Sequence, residues 1–448
     1  MHFPFALTHL GSLISAVITL AAVSVAAFFL GLMPVDEGQT GATKEPAPPT
    51  VSRNDGNTIV PRSVRVGEDG KVLLWQQFSA GDGGDPPPTG VTVCSLLLRS
   101  CLTGGRTIET PRACAAAGFT AIEGSVIYCD CETWNLMRVV PHMNMALELT
   151  PAPPSSHQYT DLCTCLARAR QSHFSRSLMD VELFAVRRDV PGDGGKSRCS
   201  VIRTNVSKPS DEPLVVASGR FGYGTPQLSP DGKWLCYVCW DSLESPTELH
   251  VASIRDDGQL VGTRRVGGGQ SESCMYDPRW APDGSCLYFL EEVLESSLDL
   301  TKLCQVTSRE LYACSPVSTT LMYKALLDFQ STSGNPWGSS ESTFCVLNNG
   351  AVVLITTDGK DHQQSLVHVN SSAVGGVENE MVPCEGLPAH IASVCCDPSS
   401  TSTIYVCCGW PDAAGGTTTG ATTELFEVCG VGEAKGACTC RQLFGMGA

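Results

Sequence analysis

Two stretches about 52 residues apart carry the same short phrase, and a chain that repeats itself at that interval has few folds open to it. The first copy reads Thr225-Pro-Gln-Leu-Ser-Pro-Asp-Gly-Lys-Trp-Leu-Cys-Tyr-Val, and the second Asp277-Pro-Arg-Trp-Ala-Pro-Asp-Gly-Ser-Cys-Leu-Tyr-Phe-Leu. In each, a turn (Pro230, Asp231 and Gly232; Pro282, Asp283 and Gly284) separates a short entry strand from an apolar run. Proline presets the turn backbone and glycine supplies a positive φ at its end, so each copy predicts a β-hairpin. Leu235 to Trp240 is then a second strand and Glu248 to Ile254 a third. The interval fits one four-stranded propeller blade. A blade cannot bury both faces alone, so the repeat implies neighbours. Two chance hairpins in a sandwich would leave the common interval unexplained.

The wording of these copies also resembles a known family. Phe221-Gly-Tyr-Gly-Thr-Pro-Gln-Leu-Ser-Pro-Asp-Gly-Lys-Trp-Leu, followed by Trp240-Asp, Thr247-Glu-Leu, Arg264-Arg-Val-Gly-Gly-Gly and Glu272-Ser, is similar in order and spacing to the propeller of acylaminoacyl-peptidase-like members of the prolyl oligopeptidase superfamily. Leu149-Thr-Pro and His157-Gln-Tyr-Thr-Asp-Leu resemble a join between early blades, with 181–186 expected as the third strand of the next blade. The resemblance runs from about residue 119 to 290. Beyond it, 344–356 around Asn349-Gly, and 391–408 with a third strand at 424–428, read as worn copies.

The expected architecture is therefore all-β: a propeller of about seven four-stranded blades over 91–448, behind a tail at 1–9, an apolar stretch at 10–33 and a Pro/Gly-rich, disordered linker at 34–90. At most one short strand, 71–75, is expected inside that linker. Leu10 to Met33, about 24 residues without a charge, is long enough for a transmembrane signal anchor, and a cleaved signal peptide is the alternative. Either places the body in the secretory pathway, lumenal or extracellular, where some of the 23 cysteines could pair. There the sequons at Asn205 and Asn370 would be glycan acceptors.

The chemistry expected is sparse. Superfamily enzymes hydrolyse peptides with a Ser-Asp-His triad in a hydrolase domain after the propeller, its serine on a Gly-x-Ser-x-Gly elbow. No such elbow occurs in the 448 residues, and the nearest run, Gly269-Gln-Ser-Glu-Ser, lacks the second glycine. The chain as given stops at Ala448, where that domain is expected. No catalytic, cofactor or metal residues are assigned, and the chain is read as leaning away from enzyme. Gly192 to Ser197 ends like a phosphate loop but has Val190 where the first glycine belongs. Cys236 and Cys239 have zinc-like spacing, yet a strand puts them on opposite faces. Cys129-x-Cys131, Cys163-x-Cys165 and Cys438-x-Cys440 read as disulfide partners or core. Glu291-Glu292 reads as a solvated strand end. A net charge of −16 without a basic cluster excludes nucleic acid as a partner. The resemblance implies a propeller that binds or gates peptides or proteins. Two alternatives stay open: a fragment of an active membrane-anchored serine peptidase, and a TolB- or WD-repeat-type interaction scaffold.

Overall fold

The computed structural model describes twenty-eight strands and many of the shorter turns between Ile59 and Phe444; residues 1–58, 96–106, 165–181, 327–341, 409–423 and 445–448 are among the stretches outside the description. The apolar stretch 10–33 and the loop 192–197 lie outside the described residues, among which no helix is long and apolar enough to cross a membrane.

Six four-stranded antiparallel meanders follow one another as the blades of an all-β propeller. The first comprises β5 (Cys114–Ile122), β6 (Ser125–Asp130), β7 (Leu136–Val140) and β8 (Met145–Glu148), ahead of which lie β1 (Ile59–Val66), β2 (Val72–Ser79), β3 (Pro88–Ser95) and β4 (Thr107–Glu109). The next is β9 (His157–Thr164), β10 (Glu182–Asp189), β11 (Arg198–Asn205) and β12 (Leu214–Ser218). The twin phrases form β13 (Gly222–Leu228), β14 (Trp234–Trp240), β15 (Glu248–Ile254) and β16 (Leu260–Gly268), then β17 (Ser273–Trp280), β18 (Cys286–Val293), β19 (Leu300–Thr307) and β20 (Thr320–Leu326). The last two blades are β21 (Phe344–Val346), β22 (Val352–Thr357), β23 (Gln364–Ser372) and β24 (Gly376–Met381), then β25 (Ile391–Cys396), β26 (Ile404–Cys408), β27 (Glu424–Cys429) and β28 (Thr439–Phe444).

Strands β1 to β4 make a further four-stranded antiparallel sheet, in which β1 packs on β25 and β26 of the last blade while β2 and β3 pack on β5. This corrects the expectation of a linker over 34–90 with at most one strand: three strands fall in or begin in it. The one strand expected, 71–75, is β2, while the signals of β1 and β3 were masked by Pro61 and Pro88 and by the register shift between Pro61 and Ser63. The expected count of about seven blades started at residue 91, whereas the six blades described above begin at Cys114. A second correction concerns Glu182–Asp189, which is the second strand of its blade, because His157–Thr164 is the first.

The core lies between neighbouring sheets. Leu235, Tyr237 and Cys239 pack with Phe184 and Val201 of the preceding blade, while Cys236 and Val238 pack with Leu287 and Phe289 of the following one. One blade later the pattern recurs: Leu287 and Phe289 face backwards, and Tyr288 and Leu290 face forwards onto Phe344 and Leu354. Alternation along a doubly covered strand makes the runs 234–240 and 286–290 of these second strands apolar. Residues three to six places after Gly232 and Gly284 are thus equivalent in both sequence and packing.

Candidate functional site

The turn residues singled out by the repeat sit at one end of their blades, joining first strand to second. Gly232 N–H donates to Ser229 O and Gly284 N–H to Ala281 O, each at 2.8 Å. Both glycines have positive φ, 68° and 72°. Asp231 accepts from Lys233 N–H at 3.1 Å and Asp283 from Ser285 N–H at 2.9 Å, an Asx bond that Asn349 repeats with Ala351 N–H at 3.0 Å. Hydrogen bonds from Ser285 hold the Asp283 carboxyl below its ordinary range. Pro230 and Pro282 complete turns whose polar groups are spent on the turn itself.

Chemistry with more freedom lies on the first strands of the blades. Three of them bulge at one place, and the residue there is left-handed without being glycine: Asp161 (φ 52°), Thr225 (φ 44°) and Asp277 (φ 44°). A bulge of this kind re-aims a side chain. In β17 it turns Asp277 onto Arg279 at 2.8 Å, with Thr343 Oγ1 of the next blade 3.4 Å from the same carboxylate. The Arg279 guanidinium lies 5.7 Å from the centre of the Phe344 ring. Arg279 is hemmed in by protein yet keeps 30% of its side chain accessible. Burial works against its charge, and Asp277 more than compensates. Next to it, Cys345 on β21 and Cys396 on β25 share a hydrogen bond between thiols. That bond and the Arg279 charge draw the Cys396 thiol down, whereas burial drives Cys345 up.

A second charged cluster caps the β13–β16 blade. Glu248 meets His250 Nε2 at 2.7 Å, Arg220 at 3.1 Å and Arg265 at 3.4 Å, and Arg220 also pairs with Asp241. Burial alone would raise the Glu248 pKa, but the His250 hydrogen bond and the two guanidiniums hold it below the ordinary value. The His250 ring stacks on Tyr237 at 5.8 Å, and Phe221 stands beside Arg220 with 48% of its surface exposed. Cys239, Glu248 and His250 present ligand atoms within 4.8 Å of one another. A cation there would compete with two arginines for Glu248, and burial pushes the Cys239 thiol up to about 12, so this donor set fits a metal poorly. Sequence spacing missed the cluster because strand pairing, Cys239 opposite Glu248, brings it together. Cys236 and Cys239 do face opposite sides of their strand.

The remaining candidates are dispersed. Asn205 is half-buried at the end of β11, and Asn370 is exposed on β23. Glu291 and Glu292 stand half-buried near the end of β18, Glu291 3.6 Å from Lys302 and Glu292 bonded by the Tyr276 hydroxyl. Cys129 and Cys163 are buried in different cores, and Cys438 and Cys440 pack against the core of the last two blades. Between those blades His368, Glu380, Pro383, Val431, Glu433 and Cys438 line a small, partly open groove.

No protein-family model matches the sequence, and no curated protein matches it. Solved structures do. A puromycin-hydrolyzing peptidase from Mycobacterium tuberculosis matches with a TM-score of 0.59 at 17% identity, over 86% of this chain and 53% of its own. Prolyl oligopeptidase B from Galerina marginata matches at 0.52 and 9% identity, over 87% of this chain and 51% of its own. Oligogalacturonate lyase from Vibrio parahaemolyticus matches at 0.52 and 12% identity, over 78% and 88%. The likeness is one of fold. The chain shares a propeller with these proteins and spans about half the length of the two peptidases.

Proposed function

We propose that this chain is a non-catalytic propeller related to the substrate-gating domain of prolyl-oligopeptidase-like serine peptidases, binding or gating peptides or proteins along its axis. The observation that carries the reading is the fold match, which reaches the peptidases over only half of their length, in a chain whose 448 residues hold no Gly-x-Ser-x-Gly elbow. The axial wall offers what an extended peptide requires. Arg279 suits a carbonyl or carboxylate, Asp277 an amide or amine, and Phe344 lies behind them. In this reading the β1–β4 sheet serves as one more blade and closes the ring, the apolar stretch 10–33 anchors the chain, and the body faces the lumen or exterior.

The half-length match favours a second reading, the propeller portion of a longer active peptidase. An open frame beyond codon 448 encoding Gly-x-Ser-x-Gly would establish that reading. For the first, purified full-length chain is expected to leave acyl-amino-acid and proline-containing reporters intact and to bind fluorescent peptides by anisotropy, with at least tenfold weaker binding in Arg279→Met. Turnover that labels a serine with a fluorophosphonate, or peptide binding indifferent to Arg279→Met, would overturn it. Topology is read separately: protease added to sealed microsomes should spare the body, and an endoglycosidase should shift its mobility through Asn370 or Asn205.

A further inference from the structure

The connection between the last two blades and the final strand bring two distant cysteines into contact. Cys384 follows β24 in a tight segment, where Val382 N–H donates to Leu366 O and Cys384 N–H to Val382 O, each at 2.9 Å. Cys438 immediately precedes β28, the outermost strand of the last blade. Their Sγ atoms are 3.2 Å apart although 54 residues separate them in sequence. Both are half-buried, and Cys438 lines the groove beside His368, whose Nε2 is buried without a hydrogen-bond partner. Most other described thiols differ in this respect, being sealed in the cores between sheets.

We propose that Cys384 and Cys438 form a disulfide, made by exchange with a low-molecular-weight disulfide that enters through the groove. The Cys438 thiolate attacks one sulfur of R–S–S–R, forming a mixed disulfide and expelling R–S⁻, which takes up the proton that Cys438 gave to solvent. Cys384 then loses its proton and attacks the Cys438 sulfur, and the second R–S⁻ leaves as R–SH. Two protein thiols are oxidised and one small disulfide is reduced to two thiols. Access decides which sulfur attacks first: Cys438 lies on the groove wall, while burial and the hydrogen bond to Cys438 keep Cys384 protonated. The product ties the connector between blades to the closing strand of the last blade.

Purified full-length chain incubated with oxidised glutathione, alkylated and mapped by mass spectrometry, should yield the Cys384 and Cys438 peptides joined, with two hydrogens lost. Cys384→Ser and Cys438→Ser should each abolish that species and Cys440→Ser should leave it. A reductant should lower the melting temperature of the oxidised wild type by about 5 °C and leave Cys384→Ser unmoved. Should Cys384→Ser fail to fold, the mapping of the wild type decides alone. Full alkylation of both sulfurs after oxidant, a link from Cys438 to Cys440 in preference, or a co-purifying soft metal ion protecting both thiols would each overturn the proposal.

Discussion

The β13–β16 and β17–β20 blades are built to one plan and differ in where they put their charge. Each has a Pro-Asp-Gly turn with the same two backbone bonds, a left-handed bulge residue four places before the turn serine or alanine, and a second strand whose residues face alternate neighbours. At the bulge the first blade carries Thr225 and the second Asp277, and two places on stand Gln227 and Arg279. The first blade uses the Gln227 backbone oxygen to accept from the Trp280 indole of its neighbour at 3.2 Å, a packing bond between blades. The second uses the same places for an ion pair along its first strand, while the first keeps its ion pairs around Glu248 at the blade end. The frame is common property, and what a blade can recognise depends on a few positions that the frame leaves open.

The comparison breaks most directly in its core. Leu235→Ala and Leu287→Ala remove fully buried side chains from equivalent places and should each cost about 3 kcal/mol by chemical denaturation. A large gap between the two would mean that the blades are not equivalent. Gly232→Val and Gly284→Val should each cost about 2 kcal/mol through backbone strain, and at Gly284 the strain acts alone, since the nearest atom to an added Cβ is Pro230 Cδ at 3.8 Å. Thermal melts in which a substitution at Gly194 or Gly415 is as damaging would undo the register.

Asp277→Asn sharpens the contrast, because asparagine accepts φ 44° and only the charge is lost. It should cost about 1–2 kcal/mol of stability at neutral pH, as a half-buried Arg279 loses its partner, where Thr225→Val leaves no charge unpaired. Glu248→Gln tests the other blade. A carboxyl held below its ordinary value stabilises the fold above that value and loses the contribution as pH falls through the lowered one. The wild type should therefore lose stability below about pH 4.5 more steeply than Glu248→Gln, and parallel acid limbs would show the cluster to be energetically idle. Smallest of all, Thr225→Asn should gain about 0.5 kcal/mol, since a β-branched residue is the poorer occupant of a left-handed bulge.

What the sequence disclosed and what it hid follow from the range of the interactions. The hairpins at Gly232, Gly284 and Gly350 were legible because their causes are local, a turn residue and its own backbone. Gly222 belongs to the family-like phrase, but its cause lies across the sheet: an added Cβ would stand 2.1 Å from the Trp240 ring. The strand expected at 71–75 is β2, whereas β1, which Pro61 interrupts and which packs on β25 and β26, was lost among prolines and glycines. The Glu248 and Cys384–Cys438 clusters join residues by strand pairing and blade packing, which no spacing rule encodes. Asp277 and Arg279 stand in the sequence only as letters of a repeat, because the bulge that pairs them is a product of the sheet register.

The packing of β1 on β25 and β26 sets a condition on how the molecule is made. A strand that leaves the ribosome early finds this seat only after the strands up to β26 have been synthesised. Contacts of such sequence separation are the slowest to form and leave both partners open to other chains meanwhile. The step that brings β1 to β25 and β26 is therefore the one at which a chaperone, or a second unfinished copy, competes most directly with correct folding.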